Sequence, residues 1–225
     1  MYFSQPPFHQ SQPNVYFRQN DPAFIQVTGE STLSAPPDQA IITLGMITEN
    51  KNLHDAQTEN VAVISNVIKS LLTLGIPKEK IETLQYQIES EHDYPNGQQT
   101  FRAFKVTHQL NVIVDNVNMA GPVVDTAVQH GANSVSSIQF TLKDPDYYYS
   151  RALMRAIENG SQKAQTIAQK IGVSLHRPPT KVVELHEASQ PIVPFGVSLL
   201  AKAEATPIQP RAILVKAAVR MDYFY

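Results

Sequence analysis

Two places in this chain hold side chains that could do chemistry. The first is His108, on a stretch from Phe101 to Asp115 that reads as a strand, where Phe104, Val106, Leu110, Val112 and Val114 share one face with His108 among them. An imidazole there could act as a base, a proton shuttle or a metal ligand once a carboxylate or an ion oriented it. The sequence names no such partner, and a hydrogen-bonded structural histidine is the plainer reading. The second place is the group Glu89, Glu91, His92 and Asp93, beside Asn96-Gly97. Carboxylate and imidazole ligands so close together could hold a divalent ion weakly. A solvated acidic hairpin end accounts for them with fewer assumptions. An enzyme or a metal-binding protein hidden in this chain would have to use one of these two groups.

Other motifs are missing. The nine glycines form neither a GxGxxG nor a GxxxxGK[ST] loop, and there is no GxSxG elbow and no HExxH helix. His186-Glu187 lacks the second histidine of a zinc helix. Zero cysteines remove disulfides, thiolate metal sites and thiol catalysis. The expectation is a protein without catalytic residues, cofactor or resident metal.

The elements that must position these residues are legible. The chain should alternate strands and helices in the manner of an α+β fold, with antiparallel-rich sheet and long helices on one face. Phe24–Thr28 reads as a strand leading through Gly29, and Gln39–Thr48 as a second. Asn52 caps a helix with Val61, Ile64, Ile68 and Leu71 on one face, and Gly75 stops it. Ile81–Asp93 alternates, with Leu84, Tyr86 and Ile88 on one side, and Asn96-Gly97 turns it into the His108 strand. A short helix near Met119–His130 and a strand Val135–Leu142 follow. Asp144 and Pro145 then begin a helix that Gly172 ends. That helix carries Leu153, Ile157, Ala164, Ile167 and Ile171, beside a line of minimal side chains, Ala152, Ala156, Gly160, Ala164 and Ala168. Such a line lets a helix lie very close to a sheet and gives Gly160 a reason to be there. Of Tyr147, Tyr148 and Tyr149, at least one ring should be exposed. Lys181–His186 and Ile213–Tyr223 read as the last strands. Strand, helix, strand, strand thus occurs twice, as two βαββ-like units.

With 225 residues, 42% hydrophobic and 17% charged, the chain can bury a sizeable core. A net charge of −2 leaves no electrostatic footprint for nucleic acid. Residues 1–100 hold 5 basic against 11 acidic residues and 101–225 hold 13 against 9, an asymmetry that could orient subunits. Residues 1–22, with four Pro, four Gln and five aromatics, are expected to be a disordered tail before an α+β domain over 23–225. No apolar run approaches the ~18 residues of a membrane span. Nor does the N-terminus read as a signal peptide, so a cytoplasmic location is expected. Ala188–Ala201 is uncharged and broken by Pro191 and Pro194. Its Ile192, Val193, Phe195, Val197, Leu199 and Leu200 either fold back or meet another subunit, and are the candidate oligomer contact.

In their order along the chain, several short motifs mark a family. Val27-Thr28-Gly29-Glu30 with Ala35-Pro36-Pro37-Asp38-Gln39-Ala40 resembles the opening of SIMPL-domain proteins. Gly75-Ile76, Ile81-Glu82-Thr83, Gly131-Ala132-Asn133, Ile138-Gln139-Phe140, Ala164 with Ala168 and Gly172, and Thr206-Pro207-Ile208 continue it, over about Phe24 to Tyr223. The resemblance implies an α+β fold with no established catalytic activity. It implies kinship with periplasmic or envelope-associated proteins linked to stress defence, some of them forming ring-like or channel-like oligomers, and with a mammalian kinase-binding relative. The combined expectation is a non-enzymatic binding or assembly protein that self-associates. A peripheral envelope protein is the alternative without a hidden enzyme.

Overall fold

The computed structural model describes residues 23–176, 178–185 and 210–225. The proposed tail and the Ile192–Leu200 contact therefore lie outside the described residues. Among the described residues seven strands and three α-helices follow in the order β1 (Phe24–Ala35), β2 (Gln39–Asn50), α1 (Leu53–Thr73), β3 (Ile81–Asp93), β4 (Thr100–Val114), α2 (Ala120–Gln129), β5 (Ser134–Thr141), α3 (Pro145–Ile171), β6 (Lys181–Leu185) and β7 (Ile213–Phe224). The fold is α+β, and every strand pairing among the described residues is antiparallel.

The strands divide between two sheets, of order β3-β4-β2-β5 and β1-β7-β6. The four-stranded sheet packs Ile42, Leu44, Leu110 and Val112 against Ile64, Val67 and Leu71 of α1 and Val123 of α2. The three-stranded sheet packs Val27, Val219, Met221 and Tyr223 against the small residues of α3. Each sheet thus has its own core. The repeat read in the sequence exists, with one exchange. The first unit is β2-α1-β3-β4, its strands ordered β3-β4-β2, whereas the second takes β1 as its leading strand and orders its sheet β6-β7-β1. β5, which stands before α3 in the chain, instead pairs with β2. Local periodicity marks strands but not their partners, so the exchange is invisible to it. The two connections are tied where the sheets adjoin: Asp38 N–H donates to Thr141 O at 3.2 Å, and Lys143 N–H donates to Asp38 Oδ1 at 2.7 Å.

Local chemistry explains most boundaries. Asn52 Oδ1 accepts the His54 N–H at 2.9 Å, and Asp144 Oδ1 accepts the Tyr147 N–H at 3.0 Å, each filling a first-turn donor. Gly172 closes α3 in the left-handed region at φ 74°. Tyr147 is exposed, while Tyr149 packs towards the smaller core and its hydroxyl bonds Glu184.

Three expectations change. β1 runs unbroken through Gly29, because that glycine serves close packing and makes no turn. The buried line of α3 is the small one, Ala152, Ala156, Gly160, Ala164 and Ala168; Ile157, Ile167 and Ile171 flank it and stay exposed. On α1 the buried line is Ala56, Asn60, Ile64, Val67 and Leu71, and Val61 faces out.

Candidate functional site

The face of the larger sheet turned towards α1 carries His108, apart from the acidic group. His108 on β4 stands between Met46 on β2 and Tyr86 on β3. Its Nε2 lies 3.4 Å from Thr83 Oγ1, and the Tyr86 ring meets it edge-on at 5.2 Å between centroids. Tyr86 in turn accepts a hydrogen bond from Gln57 Nε2 of α1 at 3.3 Å. His108 Nδ1 is buried with no hydrogen-bond partner among the described residues. Burial holds its pKa below the ordinary histidine value, since low polarity disfavours the imidazolium. A neutral imidazole without a carboxylate to orient it is poorly equipped for acid–base work.

That lowered pKa sets a measurable sign. As pH falls through the ordinary histidine range near 6.5, the unfolded chain binds a proton that the folded chain binds only at lower pH. Stability therefore drops with pH in that window. The thermal midpoint of the wild type is expected to fall on going from pH 7.5 to 5.5 by a component that His108→Gln lacks. Matching pH profiles for the two proteins would show that the burial is not felt. At neutral pH, Asn or Gln should be tolerated better than Asp, which puts a charge on the apolar face.

The acidic hairpin end is an ion-pair network. Arg102 of β4 lies 2.9 Å from Glu49, 3.8 Å from Glu91 and 3.6 Å from Asp93, and Lys105 lies 3.5 Å from Glu91. His92 packs edge-on against Phe101, with Nδ1 3.0 Å from Ser90 O. Glu89 faces Lys105 in register. Two of the three carboxylates proposed as ligands are thus engaged by cations. Among the described residues no group of three or more His, Asp or Glu is placed to hold a metal ion.

Asn60 is a residue the sequence reading passed over. It is fully buried on α1, where Nδ2 donates to Met46 O at 3.1 Å and Val106 O at 3.2 Å, bridging β2 and β4. Its signal was available: Ala56, Asn60, Ile64 and Val67 hold helical spacing, and an amide on that line must find partners in the sheet.

The sheet edges differ in how they are guarded. On β1, Lys163 of α3 donates to Thr28 O at 2.8 Å and Asn159 Oδ1 accepts the Glu30 N–H at 3.2 Å, so helix side chains occupy the edge. Just before β5 begins, the Asn133 amide takes both the N–H and the carbonyl of Ile47, at 2.8 and 2.7 Å, and continues the ladder in place of a strand. Among the described residues β3 is a thirteen-residue edge strand paired only with β4. Along it Leu84, Tyr86 and Ile88 are 53%, 46% and 38% exposed. Long edges with apolar side chains invite another strand.

Among the described residues no helix is long and apolar enough to cross a membrane. The chain is 29% identical over 201 residues to the 26 kDa periplasmic immunogenic protein of Brucella melitensis, covering 87% of this chain and 77% of that one. It is 22% identical over 202 residues to the uncharacterized protein YggE of Escherichia coli, covering 90% and 80%. It is 20% identical over 164 residues to an interleukin-1 receptor-associated kinase 1-binding protein 1 homolog of Danio rerio, covering 71% and 62%. The model of the SIMPL family, described as a protein of unknown function (DUF541), matches residues 25–223. The chain belongs to the SIMPL family.

Proposed function

We propose that this protein works by association rather than by covalent chemistry, as a binding and assembly protein that contacts its own kind through the open edge of β3. The observation that carries this reading is the contrast between edges. Side chains of α3 meet two backbone groups of β1, at Thr28 and Glu30, whereas β3 presents thirteen residues with three exposed apolar side chains in its middle. Among the described residues no second strand pairs with it, so its outward backbone groups can join a partner's sheet. The Danio rerio relative, named for binding a receptor-associated kinase, is in keeping with a binding role. His108 serves this reading as a support: its ring and the Gln57 amide fix Tyr86 in the middle of the edge.

Light scattering tests it directly. At high micromolar concentration the wild type is expected to exceed the 25.0 kDa of one chain. Ile88→Lys sets a charge on the edge, a device by which natural sheets avoid pairing, and is expected to return the protein to a monomer with an unchanged near-ultraviolet circular dichroism spectrum. A wild type that scatters as a single chain overturns the proposal.

A further inference from the structure

We infer that the partner of β3 is a second copy of β3, paired antiparallel about a two-fold axis through Tyr86, so that two four-stranded sheets join into one of eight strands. This rests on the self-association proposed above and adds its symmetry and register. The middle of β3 reads Leu84-Gln85-Tyr86-Gln87-Ile88, the same in character from either end. A two-fold interface demands that kind of self-complementarity, because residue i meets j wherever j meets i.

The choice of axis follows from apolar and charge matching across the strand pair. With the axis at Tyr86, Leu84 meets Ile88, Gln85 meets Gln87, and Tyr86 meets its own copy. Moving the axis to Gln85 carries Ile88 past the bulge at Leu84 and away from the apolar residues, and moving it to Gln87 sets Leu84 against Ser90. An axis at Ile88 puts Tyr86 against Ser90. Axes at Glu89 or Ser90 bring Glu89 onto its own copy or onto Glu91. Of these, only the Tyr86 axis gives all three exposed apolar residues apolar neighbours.

The faces agree with this. Tyr86 and Ile88 lie opposite His108 and Val106, on the side of α1, while Gln85 and Gln87 lie opposite Gln109 and Thr107 on the other side. Joining two copies therefore extends an apolar stripe on one side and an amide row on the other. The Tyr86 ring is held at the axis by the His108 edge and by Gln57. The bulge between Thr83 and Gln85 leaves Leu84 as the extra residue and bounds the regular pairing at that end.

The native chain has no cysteine, so single cysteines report register without background. Gln85→Cys and Gln87→Cys sit on the amide side and leave the apolar stripe intact. Directly opposed residues of an antiparallel pair bring Cβ atoms within disulfide reach. Under mild oxidation, an equal mixture of the two variants is expected to give a cross-linked band of twice 25.0 kDa that neither variant gives alone. Tyr86→Cys alone should cross-link to itself. If light scattering shows assembly but Gln87→Cys or Gln85→Cys cross-links by itself, the axis is misplaced and the association reading stands. If assembly persists and none of the three cross-links, β3 is not the paired edge. If light scattering shows a single chain, the second copy is excluded and both readings fall.

Discussion

Gly29→Ala is expected to lower the thermal midpoint by roughly 6–12 °C, the equivalent of about 3 kcal/mol of overpacking in a protein of this size. A Cβ on Gly29 would stand 2.0 Å from the carbonyl oxygen of Ala156 and 2.7 Å from the backbone nitrogen of Gly160. Both atoms belong to the backbone of α3, so no side chain can rotate away. Relief requires the whole helix to lift from the smaller sheet. Lifting α3 opens its contact with Val27, Val219 and Met221 and exposes apolar surface along the helix. Gly160→Ala meets Met221 Sδ at 2.7 Å and Gly29 Cα at 3.3 Å. The thioether can shift, and alanine favours the helix by about 1 kcal/mol over glycine, so this change should cost less. Gly75 serves as the control. It holds φ at 94° with nothing within 4 Å of a Cβ, so alanine there costs only the local strain of that conformation, about 1 kcal/mol. The test is thermal unfolding of the three variants side by side. Should Gly29→Ala melt with Gly75→Ala, the close approach of β1 and α3 is not what holds this layer together.

That contact shows what the sequence could and could not reveal. The line Ala152, Ala156, Gly160, Ala164, Ala168 announces a helix in close backbone approach to its neighbour, because side chains so small leave little between them. It could not say which strand would be met. Gly29, which meets it, read as the end of a strand because glycine punctuates more often than it packs. The same limit governs the repeat: helix and strand periods are local, whereas the exchange of β1 for β5 is a pairing between strands distant in sequence. At the candidate site, His108 and the acidic group were visible from residue type. The Arg102 network that engages Glu91 and Asp93 depends on cross-strand register, which a bulge between Glu91 and His92 shifts. Leu84, Tyr86 and Ile88 were legible as one side of a strand. That the strand would lie at an edge, and leave them open, was not.

Asn60→Asp is expected to be the most damaging isosteric change in the larger core, at about 4 kcal/mol near neutral pH. The native amide places two donor hydrogens towards Met46 O and Val106 O, in a site with no exposure to solvent. Aspartate has the same shape and turns that donor into a second acceptor, so a buried carboxylate would face two carbonyl oxygens. Asn60→Leu removes the bonds without adding a charge and should cost about 2 kcal/mol, the penalty of leaving buried carbonyls with fewer donors. The pH dependence separates the two mechanisms. Burial among acceptors raises the pKa of the introduced carboxyl in the folded state above its unfolded value near 3.9. As pH falls through that raised value, the folded variant takes up a proton, the acid hydroxyl becomes a donor to one carbonyl, and stability recovers relative to wild type at the same pH. The Leu variant has no such group, and its deficit should stay level. Chemical denaturation at pH 7 and pH 5 reads the difference. An Asn60→Asp protein as stable as the Leu variant at pH 7, or one whose deficit does not shrink on acidification, would mean that the amide is not the bridge between β2 and β4 that its two hydrogen bonds describe.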